Sequence, residues 1–543
     1  MNLRTPTALG LSLLMISQAH AKPPADMQAK LDAWAKGEAG GVAAAWVDAD
    51  GPVFFQLGTY DAADTRPVTP DTNFEVGSIS KVFTALLLAE SERLGKASRN
   101  DPAAKYLIPA DDPSQASLSK ITLLSLTTHT SGLPRLPRNM GPKPDAMPDP
   151  YASYDRAMLV EALKVHGATA DVGQRASYSN FGAAVLGEAL AAAWGTTYAE
   201  ALTEHVLGPL GMKQTSIGVA GQPPPDDLAP GHAGGKRVAN WTFQAFAPAG
   251  AIRSSARDMA IFLAAALGGR DAPLHASFVA TEVPLMPFEE AGGHIGLGWM
   301  LTGDADNPIA WHNGATAGSH SFIAFSLKAR TGIVILANFQ KGPEGLGTEL
   351  LGFTLPKPAV PSVSNASEYV GSYPLTPAFV IQVSEEKGAV FIQATGQPRL
   401  GLRPTKGDAF AIIGVQAEIT FERDGAGKVV GLVLHQNGVE QHALRGALPP
   451  APKQADLPIE TLRQYVGNYA LMPSFIIAIS EEGGALFAQA TGQGKAPIFA
   501  SAKDEFFYTV VKAEISFQRD ASGKVTGLTL HQAGQNMPAP RMP

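Results

Sequence analysis

The last third of this chain is written twice. Tyr369-Val370-Gly371 returns as Tyr465-Val466-Gly467, and Ala394-Thr395-Gly396-Gln397 returns as Ala490-Thr491-Gly492-Gln493. The same offset of 96 carries Phe410 onto Phe506, Ala417-Glu418 onto Ala513-Glu514, Asp424 onto Asp520 and His435-Gln436 onto His531-Gln532. One ungapped offset over so many positions is a duplication. Within a copy, polar and apolar residues alternate over short runs such as Phe379-Val380-Ile381-Gln382-Val383. Glu418 to Phe421, Asp424 to Gly427 and Val429 to Leu434 read as strand, turn, strand. We therefore expect two small antiparallel β-domains of about 80 residues each, barrel-like in form. They occupy 367–447 and 460–543, behind Pro-bearing linkers at 356–366 and 448–459. His435 and His531 share one strand context and read as packing residues. No acid, base and nucleophile cluster recurs, and no His pair has the spacing of a metal motif such as HExxH, so no metal or cofactor is expected.

At the other end, Arg4, the apolar stretch Ala8 to Ile16 and Ala19-His20-Ala21 form the three parts of a secretory signal, 1–21, cut after Ala21. The expectation is an exported, periplasmic protein. No later stretch approaches the roughly 18 apolar residues a membrane span requires. With 42 Lys and Arg against 49 Asp and Glu, the chain lacks the basic excess that offsets a phosphate backbone, and nucleic acid is excluded as a partner. The absence of Cys removes thiolate nucleophiles, disulfides and cysteine zinc sites.

Residues 22–355 mix helical and strand-like patterns, as an α+β or α/β enzyme domain does. Here Glu75-Val76-Gly77-Ser78-Ile79-Ser80-Lys81 runs into an apolar segment, Val82 to Ala89, without Pro or Gly. The segment reads as a buried helix, with Ser78 and Lys81 three apart on one face. A serine hydroxyl is a poor nucleophile without a nearby proton acceptor. A desolvated lysine at the start of a helix, near its positive end, has its ammonium form disfavoured and supplies that acceptor. The Ser-x-x-Lys spacing also occurs at Ser117/Lys120 and Ser384/Lys387, but neither begins a buried helix. Ser177-Tyr178-Ser179-Asn180-Phe181-Gly182 then leads into the helix-like Ala183 to Ala193. Ala310-Trp311-His312-Asn313-Gly314-Ala315 is followed by two strand-like runs, Phe322 to Phe325 and Gly332 to Ala337.

These three motifs, in this order, resemble the serine β-lactamase and penicillin-binding-protein superfamily, in the branch holding class C β-lactamases, DD-peptidases and related esterases. The resemblance spans about residues 30–350 and is supported by Thr128 to Pro134, by Pro248-Ala249-Gly250 with Ser254, Ser255 and Asp258, and by Gly296 to Trp299. It implies an α+β fold, an antiparallel sheet flanked by helices plus a helical region, followed here by the two β-domains. It also implies roles: Ser78 the acylated nucleophile, Lys81 its proton partner and Tyr178 a second proton carrier. Asn180, His312, Asn313, Gly314 and Ala315 contact substrate, with the Ser78 and Ala315 amides as oxyanion donors. The implied substrate is a β-lactam, a peptidoglycan-derived D-alanyl peptide or an ester; the alternatives are a carboxylesterase acting on short acyl esters and a penicillin sensor that acylates without turnover.

Two positions depart from the class C pattern. His312 replaces Lys, and Tyr-Ser-Asn replaces Tyr-Ala-Asn, both closer to the carboxypeptidase and esterase members. A protonated His312 anchoring a carboxylate predicts that peptide turnover weakens as pH rises through the histidine pKa. No motif supplies a separate deacylating Glu, leaving Tyr178, Lys81 or the substrate itself. His129, beside Ser131-Gly132, reads as fixing its loop by hydrogen bonding. Tyr151 and Tyr154 either contact substrate or anchor the loop 134–154. The sequence is silent on oligomeric state.

Overall fold

The computed structural model describes residues 22–542, apart from 141–147, 170–171, 305–306, 356–359, 377–378, 396, 398, 414–416, 437–438, 447–453, 473–474, 492–494, 509–512 and 533–534. The expected signal segment 1–21 lies outside the described residues, as does part of each expected linker. The chain forms two compact units, the first ending at Pro356 and the second made of the chain after it together with a short segment that begins at Pro134.

The first unit is built on eight antiparallel strands. Their spatial order is Gly51–Gly58, Gly41–Asp48, Thr331–Ala337, His320–Ser326, Asn307–Ala315, Met300–Asp304, Gly293–Ile295 and Met286–Phe288. The N-terminal hairpin thus pairs with the last strand, Val42 opposite Ala337. Every residue of Thr331–Ala337 is buried, which explains an apolar run without alternation: helices cover both faces of the sheet. On one face, helices Met27–Ala35 and Glu344–Leu351 pack Met27, Leu31, Leu346 and Leu350 against Val42, Ile333 and Phe322. On the other, helix Ala256–Ala266 lays Leu263 on Gly332, where a Cβ would approach it to 3.1 Å. From the same helix, Phe262 meets Phe83 of the long helix Ser80–Arg93 at 4.2 Å between ring centroids. Helix Asn180–Trp194 seats Pro248 on Gly187, where any side chain would collide.

The second unit holds two nearly closed barrels of eight antiparallel strands each, laid in sequence order. They run from Gly371–Thr376 to Val439–Leu444 and from Gly467–Met472 to Gln535–Pro540. First and last strands are joined by Gly446 N–H to Ser372 O at 2.7 Å and Met542 N–H to Asn468 O at 2.8 Å. The duplicated Tyr-Val-Gly has a physical reason. Tyr369 and Tyr465 are buried and donate to Asp408 and Asp504, which also receive Arg423 and Arg519. Gly371 and Gly467 lie against Arg445 and Arg541, whose guanidinium groups bond the Val370 and Val466 carbonyls. His435 and His531 are not core packing residues. They stand half-exposed on the outer face, bonded across strands to the hydroxyls of Thr420 and Ser516.

Candidate active site

Ser78 sits in a single 3-10 turn, Gly77–Ile79, directly ahead of helix Ser80–Arg93. Across residues 72–91 it is the one position that is not buried. Gly77 makes the turn possible: its φ of +51° lies in the left-handed region, and a Cβ there would come within 2.7 Å of the Ala315 amide nitrogen. Lys81, 4% exposed, donates from Nζ to Ser78 Oγ at 3.0 Å and to Ala249 O at 2.7 Å. Thr84, one turn on, donates to Pro248 O at 2.8 Å. The Pro-Ala-Gly motif is therefore the backing that aims the lysine, and Gly298 lies close on the other side, where an added Cβ would come within 3.0 Å of the Lys81 carbonyl.

Strand Asn307–Ala315 supplies the opposite wall. Alternation turns His312 and Gly314 toward the Ser78 turn. A Cβ at Gly314 would lie 2.0 Å from Val76 O and 3.0 Å from Ser78 N. Ser321, opposite Gly314 in the next strand, donates to Val76 O at 2.8 Å and staples the turn to the sheet. The two close approaches, at Gly77 and Gly314, bring the Ser78 and Ala315 amides to one place. Sequence reasoning had no signal for Ser321, a lone hydroxyl in an apolar strand.

The third wall is the segment before helix Asn180–Trp194. Ser179 caps that helix, accepting from Gly182 N–H at 2.8 Å, so Asn180 occupies its first position. The Asn180 Oδ1 is buried with no hydrogen-bond partner among the described residues. The Tyr178 ring lies 4.8 Å from Lys81 Nζ. His129 holds this segment: its Nδ1 accepts from Ser179 N–H at 3.3 Å, its carbonyl from Ser177 N–H at 2.7 Å, and its ring packs 4.6 Å from that of Tyr178. The expected loop-fixing role thus extends to the tyrosine itself. Tyr151 and Tyr154 are buried anchors, Tyr151 stacking on Phe243 at 5.0 Å.

With this arrangement in place, comparison with known proteins is specific. The profile of the family described as Beta-lactamase matches residues 27–351. The chain belongs to the Beta-lactamase family. Residues 355–447 and 451–539 each match a domain of unknown function, DUF3471. A Beta-lactamase of Escherichia coli (strain K12) is 27% identical over 332 residues, 55% of this chain and 84% of that protein. The D-alanyl-D-alanine-carboxypeptidase/endopeptidase AmpH of the same strain is 32% identical over 178 residues, 32% of this chain and 45% of AmpH. Among solved structures, SurE superposes with a TM-score of 0.54 at 22% identity, covering 77% of this chain and 98% of its own. A class C β-lactamase from Rhodobacter sphaeroides gives 0.51 at 24%, covering 60% and 97%. These two likenesses are of fold.

In this Beta-lactamase-family chain the two remaining strand residues differ from expectation. His312 is 1% exposed, and its Nδ1 donates to Asn313 O at 2.6 Å. Burial, then the neighbouring Lys81, push its pKa down to about 3, so the ring is neutral and its buried Nε2 is a lone pair without a partner among the described residues. A protonated His312 anchoring a carboxylate does not fit this environment. Asn313 points to the other face of the sheet, where its Nδ2 donates to Glu344 Oε1 at 2.6 Å. Its side chain ties the strand to the start of helix Glu344–Leu351.

Proposed function

We propose that this protein opens an amide, a β-lactam or a D-alanyl peptide, through an acyl-Ser78 intermediate, and that it works outside the cytoplasm. The observation that carries the reading is the 3.0 Å contact of Lys81 Nζ with Ser78 Oγ. Lys81 as the free amine takes the Oγ proton while Oγ attacks the carbonyl carbon. The amides of Ser78 and Ala315 stabilise the resulting oxyanion more than the ground-state carbonyl. Collapse breaks the C–N bond, and the leaving nitrogen takes a proton from the Tyr178 and Lys81 pair. Water then cleaves the ester, with Tyr178, Lys81 or the substrate as base, and the unpartnered Asn180 Oδ1 orients the acyl group. The names of the E. coli relatives, a Beta-lactamase and a D-alanyl-D-alanine-carboxypeptidase/endopeptidase, support both substrate classes.

The test is a fluorescent penicillin with the label located by mass spectrometry. An adduct at Ser78, and lost nitrocefin and DD-peptide turnover in Ser78→Ala, are expected; no adduct together with unchanged turnover refutes the reading. A second reading, an esterase for short acyl esters, is favoured by the neutral His312, which offers no cation to a substrate carboxylate. Comparing kcat/KM for p-nitrophenyl butyrate and a D-Ala-D-Ala peptide separates the two.

A further inference from the structure

Behind the nucleophile lies a buried carboxylate that no step of acyl transfer uses. Glu75 ends the short strand Asn73–Glu75, three residues ahead of Ser78, and is 4% exposed. One carboxylate oxygen accepts from the Trp241 amide at 2.6 Å, and the other from the Thr316 hydroxyl at 2.7 Å. Thr316 directly follows Ala315. Its own N–H donates to Ser319 O at 2.9 Å, so the turn that ends strand Asn307–Ala315 is fixed at the point where Glu75 holds it. Across the small sheet Glu75 stands opposite Arg253, itself 3% exposed, whose Nη2 donates to Trp241 O at 3.0 Å. Burying a carboxylate costs several kcal/mol unless it is bonded and paired, and here both oxygens are bonded and a guanidinium faces them.

We propose that Glu75 is a positioning residue for acyl transfer, tying the Ala315 end of its strand to the Ser78 turn so that one side chain sets the spacing of both oxyanion donors. The inference rests on the acyl-Ser78 reading above. Gly77 and Gly314 decide how closely strand and turn can approach; the Ser321 hydroxyl holds the turn to the neighbouring strand, and Glu75 adds the bond that holds the end of the Ala315 strand itself. Thr316 is a suitable partner, since a hydroxyl can turn to donate to a carboxylate or accept from a carboxylic acid.

The charge of Glu75 then reaches the reaction. Desolvation raises its pKa to about 7, against the Thr316 hydrogen bond and Arg253, which lower it. The charged groups around it are Arg253, on strand Ile252–Ser255, and Asp149 beyond Arg253, bonded to the amide and hydroxyl of Thr242. An ionised Glu75 opposes the negative charge that develops on the substrate oxygen, and a neutral one does not.

The experiment uses the full chain and measures acylation by fluorescent penicillin and kcat and KM for p-nitrophenyl butyrate from pH 5.5 to 8.5. Glu75→Ala, which cuts the tie, is expected to lower kcat about 10- to 100-fold with KM little changed. Thr316→Val cuts the same tie and is expected to give a similar loss, with no further loss when the two are combined. Glu75→Gln keeps polar atoms at both positions but carries no charge. Its rate relative to wild type is expected to rise as pH passes 7, a dependence that a purely structural residue does not produce. Ser78→Ala is the control. If it remains active, the acyl-Ser78 reading falls and this inference with it. If Ser78→Ala is inactive while Glu75→Ala keeps kcat within about threefold of wild type, the inference alone is overturned. Should Glu75→Ala fail to fold, Thr316→Val and the pH dependence of Glu75→Gln decide: a Thr316→Val rate like wild type, with a flat Glu75→Gln ratio, overturns it.

Discussion

Gly314→Ala is the smallest change that tests how the two oxyanion amides are brought together. The added carbon would stand 2.0 Å from Val76 O, 2.5 Å from Ser321 Oγ and 3.0 Å from Ser78 N. Carbon and oxygen do not pack much below about 3 Å, so strand and turn must separate by about 1 Å. Ser321 can rotate away, but Val76 O is main chain and is held by the Ser321 hydroxyl and the Ile79 amide. A displacement of this size costs about 100-fold in rate, and complete loss of one oxyanion donor costs about 2.7–4 kcal/mol. We therefore expect acylation to fall at least about 100-fold, with an overpacking cost of about 1–3 kcal/mol in stability. Stopped-flow acylation with a fluorescent penicillin, run beside thermal unfolding, reads both. Adding Ser321→Ala relieves one contact but not the Val76 carbonyl, so it does not restore the rate. Acylation within about threefold of wild type in the single variant would refute the account of the glycine contacts.

Three further outcomes are expected. His312 has a folded pKa of about 3 against 6.5 unfolded, so the unfolded chain binds the extra proton first. Its contribution is complete above about pH 6.5 and is lost as pH falls toward 3, by at most about 1.4 kcal/mol per pH unit; His312→Asn flattens that acid limb in urea titrations. Glu282 behaves oppositely: burial raises its pKa to about 8, and its Oε1 has no partner among the described residues. Its stabilising effect, full below about pH 4.5, is lost as pH rises through 8, so Glu282→Gln should raise Tm at pH 8.5 and leave it unchanged at pH 4; equal Tm values at both would contradict this. His129→Ala removes the acceptor for the Ser179 amide and the ring beside Tyr178, and is expected to lower kcat about tenfold. Since His129 has a φ of 57°, which Asn tolerates, His129→Asn should recover part of the rate, and equal losses in both variants would count against the positioning role.

The sequence announces what repeats and what is continuous. The offset of 96 led to two barrels because each copy carries a whole core: Tyr373, Ile381, Ile419 and Leu432 in one, Tyr469, Ile477, Ile515 and Leu528 in the other. Ser78 and Lys81 were legible because they are neighbours on one stretch of chain that runs straight into a mostly apolar helix. What stayed hidden is what the fold assembles from distant segments. Ser321 acts on the site through one hydroxyl, which leaves no pattern in a sequence, and the Pro248-Ala249-Gly250 motif was visible without its task, the Ala249 carbonyl that receives Lys81. The bond from Asn313 to Glu344 was hidden because a motif read as a string does not show that successive strand residues face opposite ways. The state of His312 was equally out of reach, since it depends on burial and on a lysine 231 positions upstream, 312 minus 81.

Two barrels of one topology in one chain invite strand exchange while the protein folds. Their cores oppose it. Ile392 in the first barrel corresponds to Ala488 in the second, and Ile412 to Tyr508. A first barrel that borrowed the strand Ala485–Ala490 would lose an isoleucine at one core position and overfill its neighbour, Leu486 standing in for Val390, so that a cavity and an overpacked site arise together, each costing on the order of 1 kcal/mol or more. The divergence that makes the copies look imperfect therefore works as an address on each strand, sending it back to its own barrel.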